Sequence, residues 1–226
     1  MLMGLSFGSE DRENSHMDSS RRAKGVSIDG PPVLCVYGSP RAGGNTDLLM
    51  DRFAQAVTDA GWPVERVVLR DLTIHPCREI YACRTGGCAL QDDMTPLYDR
   101  IRDAGAVALA SPIMFYGVSA LAKAFIDRCQ ALWSLRYLQK RPVNRVPGGP
   151  KPAVFLSVGA TRGKRLFEGA LLTFRYVCDA IEAEPWAHLT VPGVDGKAEI
   201  LDHPEALAEA GAMGARLAET LRARHG

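Results

Sequence analysis

A three-layer α/β fold, with a five-stranded parallel sheet and helices on both faces, is what this chain of 226 residues predicts. Three observations carry the expectation. Five short apolar runs alternate along the chain with five helical patterns, the arrangement that gives a parallel sheet covered on both sides. The runs are continuous rather than alternating with polar residues, as fits strands buried on both faces. The first run ends in a Gly- and Ser-rich turn that drops straight into a helix. In such sheets the crossovers are right-handed and a ligand lies beyond the strand C-termini, where the strand order switches.

Each element has its own justification. Residues 1–30 are polar and poorly patterned and read as a flexible tail, with 31–226 as one domain. Val33-Leu34-Cys35-Val36-Tyr37 is the first strand. Thr46 to about Gly61 is a helix with Leu48, Leu49, Phe53, Ala56 and Val57 on one face, ended by Gly61 and Pro63. Val64 to Leu69 is the second strand, and residues 71–96 form a long connection containing cysteines. Thr95 as cap and Pro96 as first helical residue open a helix to Ala104. Residues 105–111 form the third strand. Val118 to about Leu138 reads as one long helix, apolar at Val118, Leu121, Phe125, Cys129, Leu132 and Trp133. Residues 141–152 are a Pro/Gly loop, and Ala153 to Val158 the fourth strand. Helix 165–183, strand 186–191 and helix 204–224 close the chain.

Composition excludes several functional classes. With 46% hydrophobic and 23% charged residues the chain can bury a useful core. A formal net charge of +1 offers nucleic acid or an anionic membrane no electrostatic handle. No apolar run approaches the roughly 18 residues that span a bilayer. Met1 to Phe7 is too short for a signal-peptide core, and the 6 cysteines do not form a secreted disulfide framework. A cytoplasmic protein is expected.

The turn Gly38-Ser39-Pro40-Arg41-Ala42-Gly43-Gly44-Asn45-Thr46 has the chemistry of an anion site, above all a phosphate. A helix N-terminus presents unpaired N–H groups and the positive end of its dipole. Ser39, Asn45 and Thr46 add side-chain donors and Arg41 a full charge. A triphosphatase loop would need Lys and Ser/Thr where Gly44 and Asn45 stand, and Pro40 replaces the second glycine of a dinucleotide fingerprint. What remains is a loop for a lone phosphate monoester. On the next loop, Ser111-Pro112-Ile113-Met114-Phe115-Tyr116-Gly117 offers backbone, apolar and aromatic surface suited to a flat ring. Together they describe a site for a mononucleotide with a planar head group.

These two loops, with Lys123-Ala124-Phe125-Ile126-Asp127-Arg128 and Asp92-Asp93-Met94, resemble the NAD(P)H-dependent FMN reductases and iron–sulfur flavoproteins of the flavodoxin-like superfamily. The resemblance covers about residues 32–220. It implies a flavodoxin-like fold, FMN as non-covalent cofactor and NAD(P)H as co-substrate. It also implies that Ser39, Arg41, Asn45 and Thr46 hold the phosphate while Pro112, Ile113, Met114, Phe115 and Gly117 line the ring. Hydride would pass from NAD(P)H to the flavin and on to a small-molecule electron acceptor. The alternative is an FMN electron-transfer protein reduced by a protein partner. The cofactor carries the chemistry, so no catalytic acid, base or nucleophile is expected.

Four further readings complete the sequence. Cys77, Cys83 and Cys88 have Ile80 where the iron–sulfur members place another cysteine. Three thiolates do not complete the four-cysteine ligation of a cubane cluster, and free or redox-active thiols are expected rather than a cluster or zinc. The loop at 159–165 carries Thr161, Arg162, Lys164 and Arg165, which suit the phosphates of a nicotinamide cofactor. Lys123, Asp127 and Arg128 read as helix-surface charges. Trp133, Tyr137 and Leu138 extend their helix with surplus apolar surface, and a homodimer or homotetramer is expected.

Overall fold

The computed structural model describes residues 30–225. The expected polar tail therefore lies, except for Gly30, outside the described residues. Five strands, β1 (Val33–Tyr37), β2 (Val64–Val68), β3 (Ala106–Ala110), β4 (Lys151–Gly159) and β5 (Ala183–Pro192), form one parallel sheet in the order β2-β1-β3-β4-β5. This is the flavodoxin-like order, whose switch point falls between β1 and β3.

Alternation along the strands builds two cores. Val33, Cys35 and Tyr37 of β1 face one side, with Ala106, Ala108 and Ala110 of β3. There they meet α1 (Asn45–Asp59) and α6 (Pro204–His225) through Leu49, Phe53, Met213 and Leu217. Leu34, Val36, Val107 and Leu109 face the other side. That side is covered by α2 (Met94–Asp103), α3 (Ala120–Arg128), α4 (Gln130–Tyr137) and α5 (Glu168–Ala180). Period-two burial thus places one helical layer on each face. Cys35, Cys129 and Cys178 are free and buried, as core cysteines should be, and burial pushes each thiol up to about 12.

Several boundaries differ from expectation: α5 spans Glu168–Ala180 rather than 165–183, and β5 begins at Ala183 rather than at 186. The long helix of 118–138 is two helices that meet at Cys129, whose N–H is shared between the Phe125 and Ile126 carbonyls at 3.2 and 3.0 Å. Thr95 does not cap α2. The helix begins at Met94, whose N–H is accepted by Asp92 Oδ1 at 3.1 Å, so Pro96 stands at its third position. Strand β4 begins at Lys151 inside the supposed loop.

Lys151 is 3% exposed, and its ammonium donates to the carbonyls of Ile101 and Arg102 at the C-terminus of α2. Burial pushes this ammonium down to about 8, against the opposing pull of Asp103 and Glu182. Above that value the unfolded chain holds more protons than the folded one, so the contribution of this group to stability rises with pH until the ordinary lysine range. Urea melts of the protein and its Lys151→Met variant should show the stability difference moving in favour of the parent by roughly 2 kcal/mol between pH 7.5 and 10. A pH-independent difference would contradict this reading.

Candidate functional site

The strand C-termini are bolted together by three buried serines. Ser119, the N-cap of α3, accepts from Ala122 N at 3.1 Å and donates to the Gly38 carbonyl at the end of β1 at 2.5 Å. Ser111, at the end of β3, accepts from Ser119 N at 2.9 Å. Ser157 of β4 donates to the Ser111 carbonyl at 2.7 Å. Gly38 is obligatory here, because a Cβ would fall 2.7 Å from the Ala110 carbonyl.

From this knot the first loop runs to α1. Ser39 Oγ accepts from Arg41 N at 3.1 Å, and Gly43, at φ +63°, turns the chain into the helix. The N–H groups of the first α1 turn have no intrahelical acceptor and point out of its N-terminus. Asp47 stands behind them: Oδ2 accepts from Gly43 N at 3.1 Å and pairs with Arg70 at 2.8 Å. Burial pushes its carboxyl upward, opposed by Arg70.

A third wall, unforeseen in the sequence, comes from the loop after β5. Asn45 donates through Nδ2 to the Gly196 carbonyl at 2.8 Å and accepts at Oδ1 from Ile200 N at 3.1 Å. Arg41 Nη1 reaches the Asp195 carbonyl at 3.3 Å. The Asn45 amide is thus occupied in holding this loop. An Asn that joins segments 151 residues apart leaves no local signal to read.

The three loops, together with Gly159 and Ala160 where the chain leaves β4, enclose a cavity of about 290 Å³. Ser39, Arg41, Asn45 and Thr46 line one part, with Lys197 and Asp195 beside them, and Pro112, Ile113 and Met114 form an apolar side with Val158 and Val194. Phe115, Gly117, Thr161 and Arg162 are not among its lining residues. Phe115 and Tyr116, at φ 48° and 63°, form the tip of a tight turn closed by reciprocal Met114–Gly117 hydrogen bonds of 2.9 and 3.0 Å. The Phe115 side chain is fully exposed. Arg162 packs over Gly193 and Thr161 accepts from Gly193 N, next to the cavity wall.

The family model for NADPH-dependent FMN reductase matches residues 31–186. The chain belongs to the NADPH-dependent FMN reductase family.

Among curated relatives of this reductase-family chain, an iron–sulfur flavoprotein of Methanocaldococcus jannaschii is 35% identical over 101 residues, 44% of this chain and 52% of that protein. YwqN of Bacillus subtilis, provisionally named an NAD(P)H-dependent FMN-containing oxidoreductase, is 29% identical over 133 residues, covering 58% of this chain and 68% of its own. Among solved structures, the NAD(P)H:quinone oxidoreductase of Methanothermobacter marburgensis superposes with a TM-score of 0.64 at 19% identity. That superposition covers 83% of this chain and 99% of the other, and shows the shared fold.

Outside the three-loop site, this family member clamps its cysteine loop from below. Arg128 is buried, not a surface charge as expected from sequence. Its guanidinium pairs with Asp92 at 2.6 Å and donates to the carbonyls of His75 and Leu90. Burial pushes the Asp92 carboxyl up, but hydrogen bonds from Arg128, His75 N and Met94 N outweigh it and hold the group well below the carboxylate range. Arg128 lies at the end of α3 and interrupts no apolar pattern, so only tertiary structure reveals its pairing. Lys123 and Asp127 do form the expected exposed pair, at 2.7 Å. Cys77, Cys83 and Cys88 line one cavity of about 500 Å³. Among the described residues no three His, Cys, Asp or Glu side chains are grouped closely enough to hold a metal ion.

Replacing Asn45 with Ala removes both ties to the 196–200 loop and strands the buried Ile200 N–H. A loss of about 1–3 kcal/mol is expected, with faster amide exchange at Ile200. Unchanged protection there would show that Asn45 does not hold the loop.

Proposed function

We propose that this chain is an FMN-binding NAD(P)H-dependent oxidoreductase that passes electrons to a small-molecule acceptor. The observation that carries the reading is the meeting of anion donors and an apolar shelf in one cavity at the switch point of the sheet. The donor set fits the cofactor. Ser39, Arg41, Thr46 and the first-turn N–H groups of α1 offer a phosphate its partners, while Pro112, Ile113 and Met114 offer a planar ring its surface. Asn45 serves through its backbone and through the loop it holds. Phe115 and Gly117 belong to the turn that continues the ring side, and Thr161 and Arg162, packed against Gly193 next to the cavity wall, would meet the phosphates of a nicotinamide cofactor. When bound, FMN supplies the site that takes hydride from NAD(P)H and releases electrons to an acceptor. The protein's part is to bind, orient and exclude water.

Apolar side chains exposed on one flank, Ile80, Tyr81, Leu138, Leu172 and Tyr176, support assembly into a homodimer or homotetramer. Among the described residues no helix is long and apolar enough to cross a membrane. Reduced core thiols are consistent with a cytoplasmic setting. The iron–sulfur names of several relatives, together with three cysteines on one cavity, favour a second reading as an electron-transfer flavoprotein served by a protein partner.

One experiment separates the two. The purified protein should show flavin absorption that bleaches within seconds on anaerobic addition of NADPH or NADH alone. A flavin that stays oxidised until a partner is added would replace the first reading by the second, and failure to take up FMN would sink both. Arg41→Ala should weaken FMN about 10-fold or more, the loss expected for one charge-assisted phosphate contact. Unchanged affinity would remove Arg41 from the site.

A further inference from the structure

Arg70 lies on none of the three loops that line the cavity. It sits on the short turn after β2 (Leu69–Asp71), yet it reaches behind the β1–α1 loop. Its Nη1 donates to the Ser39 carbonyl at 3.3 Å and lies 2.8 Å from Asp47 Oδ2. The same carboxylate oxygen accepts from Gly43 N at 3.1 Å. One ion pair therefore grips both ends of the loop, and turns the Ser39 carbonyl and the Gly43 N–H toward itself.

The charges make this pair more than a brace. Asp47 lies in the first turn of α1, where a bound dianion would gather the helix N–H groups, and its side chain is only 5% exposed. An unpaired carboxylate there would repel a phosphate through a medium that screens poorly. Its other neighbours do not cancel it. Asp51, on the same helix, is paired with Arg66 at 2.6 Å and accepts from the Tyr37 hydroxyl. Arg41, on the loop, is turned toward the Asp195 carbonyl, and Glu199 accepts from the Asp195 and Gly196 N–H groups. Lys197 and Asp195 stand across the cavity, one of each sign. Asp47 Oδ1 is buried with no hydrogen-bond partner, so Arg70 is the one cation in contact with this carboxylate among the described residues.

We infer that Arg70 is a positioning residue of the phosphate site, which acts by neutralising Asp47 so that a phosphate monoester can bind. The inference rests on the FMN reading above and deepens it. Without Arg70 the Asp47 carboxylate opposes the phosphate until it takes up a proton, so FMN binding becomes steeply pH-dependent.

The test uses FMN release on dilution of the loaded protein, read as free-flavin fluorescence from pH 5.5 to 8.5. At pH 8, Arg70→Met should hold FMN at least 10-fold more weakly than the parent. That deficit, measured against the parent's own profile, should shrink to threefold or less at pH 5.5, where both the Asp47 carboxylate and the phosphate carry less charge. Adding Asp47→Asn to Arg70→Met should restore binding at pH 8 to within threefold, and Arg70→Lys should lie between. Asp47→Asn alone, which leaves Arg70 free to serve the anion, should hold FMN as tightly as the parent or more so, and it decides the matter if Arg70→Met does not fold. An Arg70→Met deficit equal at every pH, no deficit, or weaker binding in Asp47→Asn would each overturn the inference. A parent protein that takes up no FMN would instead overturn the reading beneath it.

Discussion

The structure depends on the buried hydrogen bonds of Ser111, Ser119 and Ser157, which lock the ends of β1, β3 and β4 to the start of α3. Loops that leave neighbouring strands at a switch point diverge, and nothing in sheet pairing alone fixes the distance between them. Here the Gly38 carbonyl, the Ser119 N–H and the Ser111 carbonyl are each satisfied by a serine hydroxyl from another segment. All three serines are buried, so breaking any bond leaves a polar group unpaired at a cost of about 1–3 kcal/mol. The anion-donor loop and the apolar loop are therefore held as one rigid edge. Asn45 adds the third side by the same means, and Arg70 secures the back.

Much of this was legible in the sequence for a plain reason. Continuous apolar runs such as Val33 to Tyr37 and Ala106 to Ala110 have few ways to be buried other than as inner strands of a parallel sheet. The positions of Ser39, Arg41 and Thr46, and of Pro112 to Met114, followed from that, because loops after parallel strands leave by the same edge. Helix junctions were less legible. The apolar spacing of α3 continues across Cys129 into α4, so periodicity registers one helix where a shared hydrogen bond makes two.

What escaped the sequence is long-range polar pairing. Asn45 reads as a donor to phosphate, yet its amide is taken up by Gly196 and Ile200. Arg128 reads as a surface charge on the end of a helix, yet it is the buried partner of Asp92. The 194–197 loop has no motif at all and enters the site only because α1 and the end of β5 share one face of the sheet. A polar side chain advertises its hydrogen-bonding capacity in sequence, never its partner.

The phosphate end of the cavity is the part on which the account stands, and comparing FMN with riboflavin in the flavin-free protein tests it most directly. The two ligands share the ring and differ in the phosphate. If the α1 N-terminus and Arg41 receive that phosphate, FMN should bind at least 100-fold more tightly than riboflavin, since several charge-assisted hydrogen bonds are lost together. Equal affinities would contradict the assignment of this loop.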